Sequence, residues 1–187
     1  HAKVLDSIMR CQQMKVTMTK RLKFEQQSKT EQLPEISKVA ARYHVEFDSH
    51  EIVDGGLSQV RRARFAEFAL DQQTGRAEAR GPGSVEVWKL GRANRAALSP
   101  NSVARANHAA NTQDTKWEYT RIDFANEMIA KTKLRTMSFS GQVQVLYGPV
   151  EQPLDLLDED NLPKKGGALY CDSLEATQRM TITDDKY

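Results

Sequence analysis

Cysteine is nearly missing from this chain, long apolar runs are missing altogether, and neither sign of charge dominates. Two cysteines, Cys11 and Cys171, stand in 187 residues, too few for a disulfide scaffold or a four-ligand zinc site built on thiolates. Their sulfurs can pair in an oxidising compartment, or each can serve as a small apolar side chain in a core. No stretch approaches the roughly 18 apolar residues that cross a bilayer as a helix. The formal charge is only +2, from 27 basic and 25 acidic side chains that are interspersed. Tracking phosphates needs clustered positive charge, so no nucleic-acid partner is expected. No Asn-x-Ser/Thr acceptor site occurs. The chain opens at His1, without an initiator Met or a basic-then-apolar leader, and reads as a piece of something longer. Any membrane attachment is expected through a segment outside these residues.

Catalytic signatures are missing too. There is no Gly-x-Ser-x-Gly, P-loop, dinucleotide fingerprint or His-Glu-x-x-His run. Gly81-Pro82-Gly83-Ser84 is glycine-rich, yet it leads into a strand pattern and lacks the helix N-terminus that cradles phosphate. Asp158 and Glu159 stand in a loop pattern with no apolar neighbour to raise a carboxyl pKa. His44, Glu46, Asp48 and His50 share one parity, so a strand sets all four on one face, and their atoms are of metal-ligand type. The same residues supply the wet face that an amphipathic strand needs, so no metal is assigned. Neither an enzyme nor a cofactor is expected.

What is present is alternation with period two. Met14, Val16, Met18, Leu22 and Phe24 alternate with Lys15, Thr17, Thr19, Arg21 and Lys23. Successive side chains of a strand point to opposite faces, so this is a strand with one wet face. Val39, Ala41, Tyr43, Val45 and Phe47 repeat the pattern. Gly75 marks a turn, Ala77 and Ala79 alternate with charge, Gly81-Pro82-Gly83 breaks or bulges the strand, and Val85 and Val87 resume it. Residues 120–124 and 134–149 form a further pair, with Val143, Val145 and Tyr147 on one face, and 168–182 is a last extended stretch. Residues 57–70 fit either an amphipathic helix capped by Ser58 or a strand with Ala66, Phe68 and Leu70 inward; the strand suits the surroundings better. Residues 92–114 lack periodicity and are expected to be a long mobile loop. Residues 151–167 carry prolines and the acidic run 155–160, the pattern of a second, solvated loop.

An internal echo underlies these strands. Cys11, Ala63 and Cys171 are each followed by apolar or small residues three and five positions later: Met14 and Val16, Ala66 and Phe68, Leu174 and Ala176. Stacked hairpins of an elongated sheet produce such a repeat. Residues 63–88, "ARFAEFALDQQTGRAEARGPGSVEVW", carry Ala63, Phe68, Asp71, Thr74-Gly75, Ala79, Gly81 and Val85. That grammar resembles the repeating unit of the OstA-like, lipopolysaccharide-transport (LptA/LptC-like) family. A second copy is suggested by Phe139, Gly141, Val143 and Val145. The resemblance covers about half of the chain; a Pro-Gly insertion and two longer loops depart from the family pattern.

The resemblance implies an all-β, elongated and twisted β-jellyroll, taco-like, built from repeated antiparallel strand pairs as one domain over residues 1–187. It also implies a Gram-negative-type periplasm or cell envelope, an amphipathic lipid partner, and homo- or hetero-assembly through sheet edges. On this reading Val16, Val45, Phe68, Val85, Phe124, Phe139, Val143 and Val145 line an apolar groove. If the sandwich is closed, the same residues, with Phe65, Trp88 and Tyr147, form its core.

Overall fold

The computed structural model describes residues 2–19, 35–91 and 116–177. The expected strand positions Leu22 and Phe24, the loop 92–114 and the end of the stretch 168–182 fall outside these residues. The described chain is all-β, a single antiparallel sheet of ten strands curved into a twisted jellyroll. The strands are β1 (Lys3–Arg10), β2 (Gln13–Met18), β3 (Ile36–Val53), β4 (Gly56–Asp71), β5 (Arg76–Arg80), β6 (Gly83–Leu90), β7 (Trp117–Phe124), β8 (Glu127–Lys131), β9 (Thr136–Val150) and β10 (Gly167–Thr177). Residues 57–70 are therefore strand. A helix would have spread Ala63, Phe65 and Phe68 around its circumference instead of setting them on one interior face.

The pairing has a simple plan. β3 lies along the whole of one edge of β4, while β5 and β6 share the other edge end to end. β10 lies along one edge of β9, while β8 and β7 share the other. β5 pairs β8 and β6 pairs β7, so the ladder closes through β4, β5, β8, β9, β7 and β6. In effect seven ranks run side by side: β1 with β2, β3, β4, β5 with β6, β7 with β8, β9, and β10.

Every rank is interrupted at the same level. The breaks fall at Cys11-Gln12, at Tyr43-His44, at Ala66, at Gly81-Pro82, at Ala125-Asn126, at Gly141-Gln142 and at Asp172. Tyr43 and His44 are both left-handed, with φ of 62° and 53°, and so are Gly141 and Gln142, at 82° and 47°. Bulges of this kind bend a strand and add twist. Aligned across seven ranks, they crease the sheet into two leaves. The first leaf holds β2, β5, β8 and the adjoining parts of β3, β4, β9 and β10; the second holds β1, β6, β7 and the remainder.

The leaves face one another across the crease. Phe65 and Phe68 stack at 6.0 Å, Phe65 meets Phe124 at 6.2 Å, and Phe124 meets Phe139 at 5.6 Å. Phe65, Phe124 and Phe139 form the main core with Ala41, Val45, Ala63, Ala79, Met128, Val143 and Val145, and Phe68 packs against it. Two expected interior positions lie elsewhere. Tyr43 is exposed, because the left-handed bulge swings it off the interior face. Trp88 has the parity opposite to Val85 and belongs to a second core on the outer face of the second leaf, with Val60, Trp117, Tyr119 and Val150. Tyr147 keeps the interior parity but is half-exposed at the trough's lip.

Candidate functional site: an apolar trough between two leaves

Cross-strand partners in an antiparallel sheet project from the same face, so the register places whole rows of side chains. On the first leaf, one row runs Met14, Ala41, Phe68, Ala79, Met128, Phe139, Leu174; the next runs Val16, Val39, Leu70, Ala77, Ala130, Met137, Ala176. On the second leaf, Met9, Phe47, Ala63, Val85, Ile122, Val145 and Leu169 form a third row. A fourth follows the crease through Cys11, Val45, Phe65, Gly83, Phe124, Val143 and Cys171. All four are apolar from one edge of the sheet to the other. Small residues on the first leaf, Ala41 and Ala79, are buried in the same core as Phe65 and Phe124. Gly83 makes room within the second leaf, since a Cβ there would lie 2.6 Å from the ring of its cross-strand partner Phe124.

All eight sequence-predicted lining residues lie on this interior face. Val45, Phe124, Phe139, Val143 and Val145 are buried in the main core, and Phe68 and Val85 pack against it half-buried. Val16 continues its row onto the edge strand β2, where it is 41% exposed. The middle ranks are therefore filled by side chains, whereas the rows emerge at both ends: Met14 on one edge, Leu169 on the other, each 46% exposed. Further from the crease the second leaf becomes partly polar on this face. Ser7 donates to Ser49 at 2.9 Å, and Arg61, Val87, Thr120 and Tyr147 follow in the same row. Sequence reading missed Met128, because β8 is only five residues long and its alternation is too brief to read. It also missed Met137, which stands in β9 on the far side of the Gly141-Gln142 break from the alternation at Val143 and Val145.

The outer faces are built differently. Asp48 accepts from Arg10 at 2.9 Å and from Arg62 at 3.1 Å, and Glu46 pairs with Arg64 at 3.8 Å. The carboxylates in the His44–His50 stretch thus have arginine partners, and among the described residues no cluster is arranged to hold a metal. Arg62 also lies over Trp88, 5.7 Å from the ring centre. Beside it Tyr119 donates to the buried Glu86 at 2.8 Å; burial, then the Glu86 partner, push the tyrosine pKa well above its ordinary value. The loop 151–166 folds back over this second core. Its Leu157 packs there, and the Trp88 indole N–H donates to the Asp155 carbonyl at 2.7 Å. The acidic run is solvated as expected, while the loop backbone is anchored.

One recess of about 410 Å³ opens at the crease between Tyr43, His44, Glu46, Arg64, Phe65 and Pro82. Its walls are mostly apolar, and the Arg64–Glu46 pair at its rim neutralises itself. Both cysteines are free and half-buried, at opposite edges of the sheet. Among the described residues no helix is long and apolar enough to cross a membrane.

What the fold and the trough define is a class: an all-β jellyroll creased into two leaves with an apolar interior that reaches both edges. No family model, no curated protein and no solved structure matches this chain.

Proposed function

We propose that this chain is a non-enzymatic cell-envelope module that binds or passes an amphipathic, lipopolysaccharide-like lipid along the trough, with neighbouring domains joined through its edge strands. The observation that carries this reading is the run of four apolar rows from edge to edge, emerging exposed as Met14, Val16 and Leu169. Acyl chains are held by such a lining without directional bonds, and the polar lip of the second leaf suits the head of an amphipathic molecule. The edges support assembly. β1 exposes Val4 and Ile8 on one face and Leu5 on the other, and β10 exposes Leu169 and Tyr170 on opposite faces. Long edge strands with apolar side chains on both faces are templates for pairing unless a neighbour covers them. The periplasmic setting follows from the resemblance of residues 63–88.

Native mass spectrometry with lipid A-type and phospholipid ligands tests the proposal. Discrete acyl-lipid adducts, lost in Val143→Asp or Phe139→Asp variants that keep their far-UV circular dichroism, are the expected result. A bare protein mass at high lipid would retire the lipid reading. The filled middle ranks favour a second reading in that event, a structural or protein-interaction domain without a small ligand.

A further inference from the structure

We propose that Cys171 of one copy and Cys11 of the next form a disulfide that locks copies of this chain head to tail; the inference rests on the edge-strand assembly proposed above. Both thiols are free and half-buried, and both pack against the main core. They end the same interior row: Cys171 lies opposite Val143, and Cys11 follows the Arg10–Glu46 pair in line with Val45. Each also stands beside the crease on its own edge strand. The Gln12 amide donates to the Tyr43 carbonyl at 3.1 Å, and the β10 register shifts between Cys171 and Ser173.

That placement fixes the register of a junction. A second copy continues the creased sheet only when crease meets crease, and this sets Cys11 beside Cys171. The rows on either side then match as well, Met9 with Leu169 and Met14 with Leu174. Six antiparallel pairings separate the first rank from the last, so β10 and the next copy's β1 run parallel. The contact is heterologous and propagates rather than closing as a two-fold dimer. Adjacent strands lie about 4.7–4.9 Å apart, inside the roughly 4.4–6.8 Å Cα separation that a disulfide spans. Two thiols and one disulfide oxidant, such as oxidised glutathione, give the Cys171–Cys11 bond and two thiols of the reduced oxidant: a thiolate opens the oxidant, and the second thiolate displaces its remaining half.

The test is to oxidise the protein with oxidised glutathione, then run non-reducing electrophoresis and map the disulfide peptides. A ladder that collapses with dithiothreitol and contains only Cys11–Cys171 links is expected. Cys11→Ser and Cys171→Ser should each remain monomeric alone, and an equimolar mixture of the two should stop at the dimer, since only one pair of thiols can join. Links between like cysteines, or a Cys11–Cys171 link within one monomer, would overturn the latch. Sedimentation under reducing conditions separates the two ideas. Assembly without cross-linking removes the latch and leaves edge pairing; neither assembly nor cross-linking removes both.

Discussion

Single residues hold the crease. Gly141 has a φ of +82°, and a Cβ there would run into the Asn126 side chain. Gly141→Ala should therefore destabilise the fold by about 1–3 kcal/mol, from left-handed backbone strain and the displaced amide. Urea unfolding should show a lower midpoint with an unchanged slope; an unchanged midpoint would mean the crease tolerates an ordinary residue. Tyr119 is the second telling residue. Its pKa is raised in the folded state, so the stability from its neutral form is fully present below the unfolded value of about 10 and is lost as pH rises through the folded one. Absorbance at 295 nm should show a tyrosine ionisation step displaced well above the ordinary value. Tyr119→Phe should abolish that late step. Asp71 works in the opposite sense. The Thr74 amide, followed by Lys38, holds its carboxyl below the ordinary value, so its small contribution is present at neutral pH and lost on acidification.

At the scale of elements, the hairpins were the most legible feature. Gly75 marks the turn in the sequence, and the Asp71 side chain accepts from the amides of Gln73 and Thr74 before Gly75 turns the chain into β5. Asp54-Gly55, both at positive φ, joins β3 to β4 and was equally available as a hairpin signal. The internal repeat was legible in two of its three copies. Cys11-Met14-Val16 and Cys171-Leu174-Ala176 occupy matching rows, whereas the unit equivalent to them in β4 is Phe65-Phe68-Leu70, two residues beyond Ala63. Residues 151–167 have the pattern of a solvated loop, but the backbone carbonyl at Asp155 caps Trp88, a contact between residues 67 apart. No local pattern encodes such a contact. Both tryptophans of the chain lie in the core that this loop covers. Leu157→Ala should thus red-shift tryptophan emission and cost about 2 kcal/mol, somewhat less than for a fully buried leucine. An unshifted spectrum would show that the loop does not seal that core.

At the scale of the molecule, the trough and the edges decide behaviour together. Adding charge to an exposed interior position at one end, Val16→Lys or Leu169→Lys, leaves the buried middle ranks intact. Each should change stability by under about 1 kcal/mol, as exposed positions do, while blocking assembly at that edge. Analytical ultracentrifugation at high protein concentration reads the outcome: a smaller species than the parent supports edge pairing, and an identical distribution argues against it.

The amino-acid sequence by itself determined most of the strands, though not β1 or β8, along with many of their inward faces and the Gly75 turn, because alternation and turn chemistry are local properties of neighbouring side chains. It also placed all eight proposed lining residues on one side of the sheet. Only the tertiary structure decided that the breaks in seven ranks align into a single crease, that Trp88 faces away from the trough, and that the apolar rows are packed shut in the middle and open at the ends. These depend on strand register and on which rank lies beside which, and register joins residues far apart in the chain whose partnership no short window can specify.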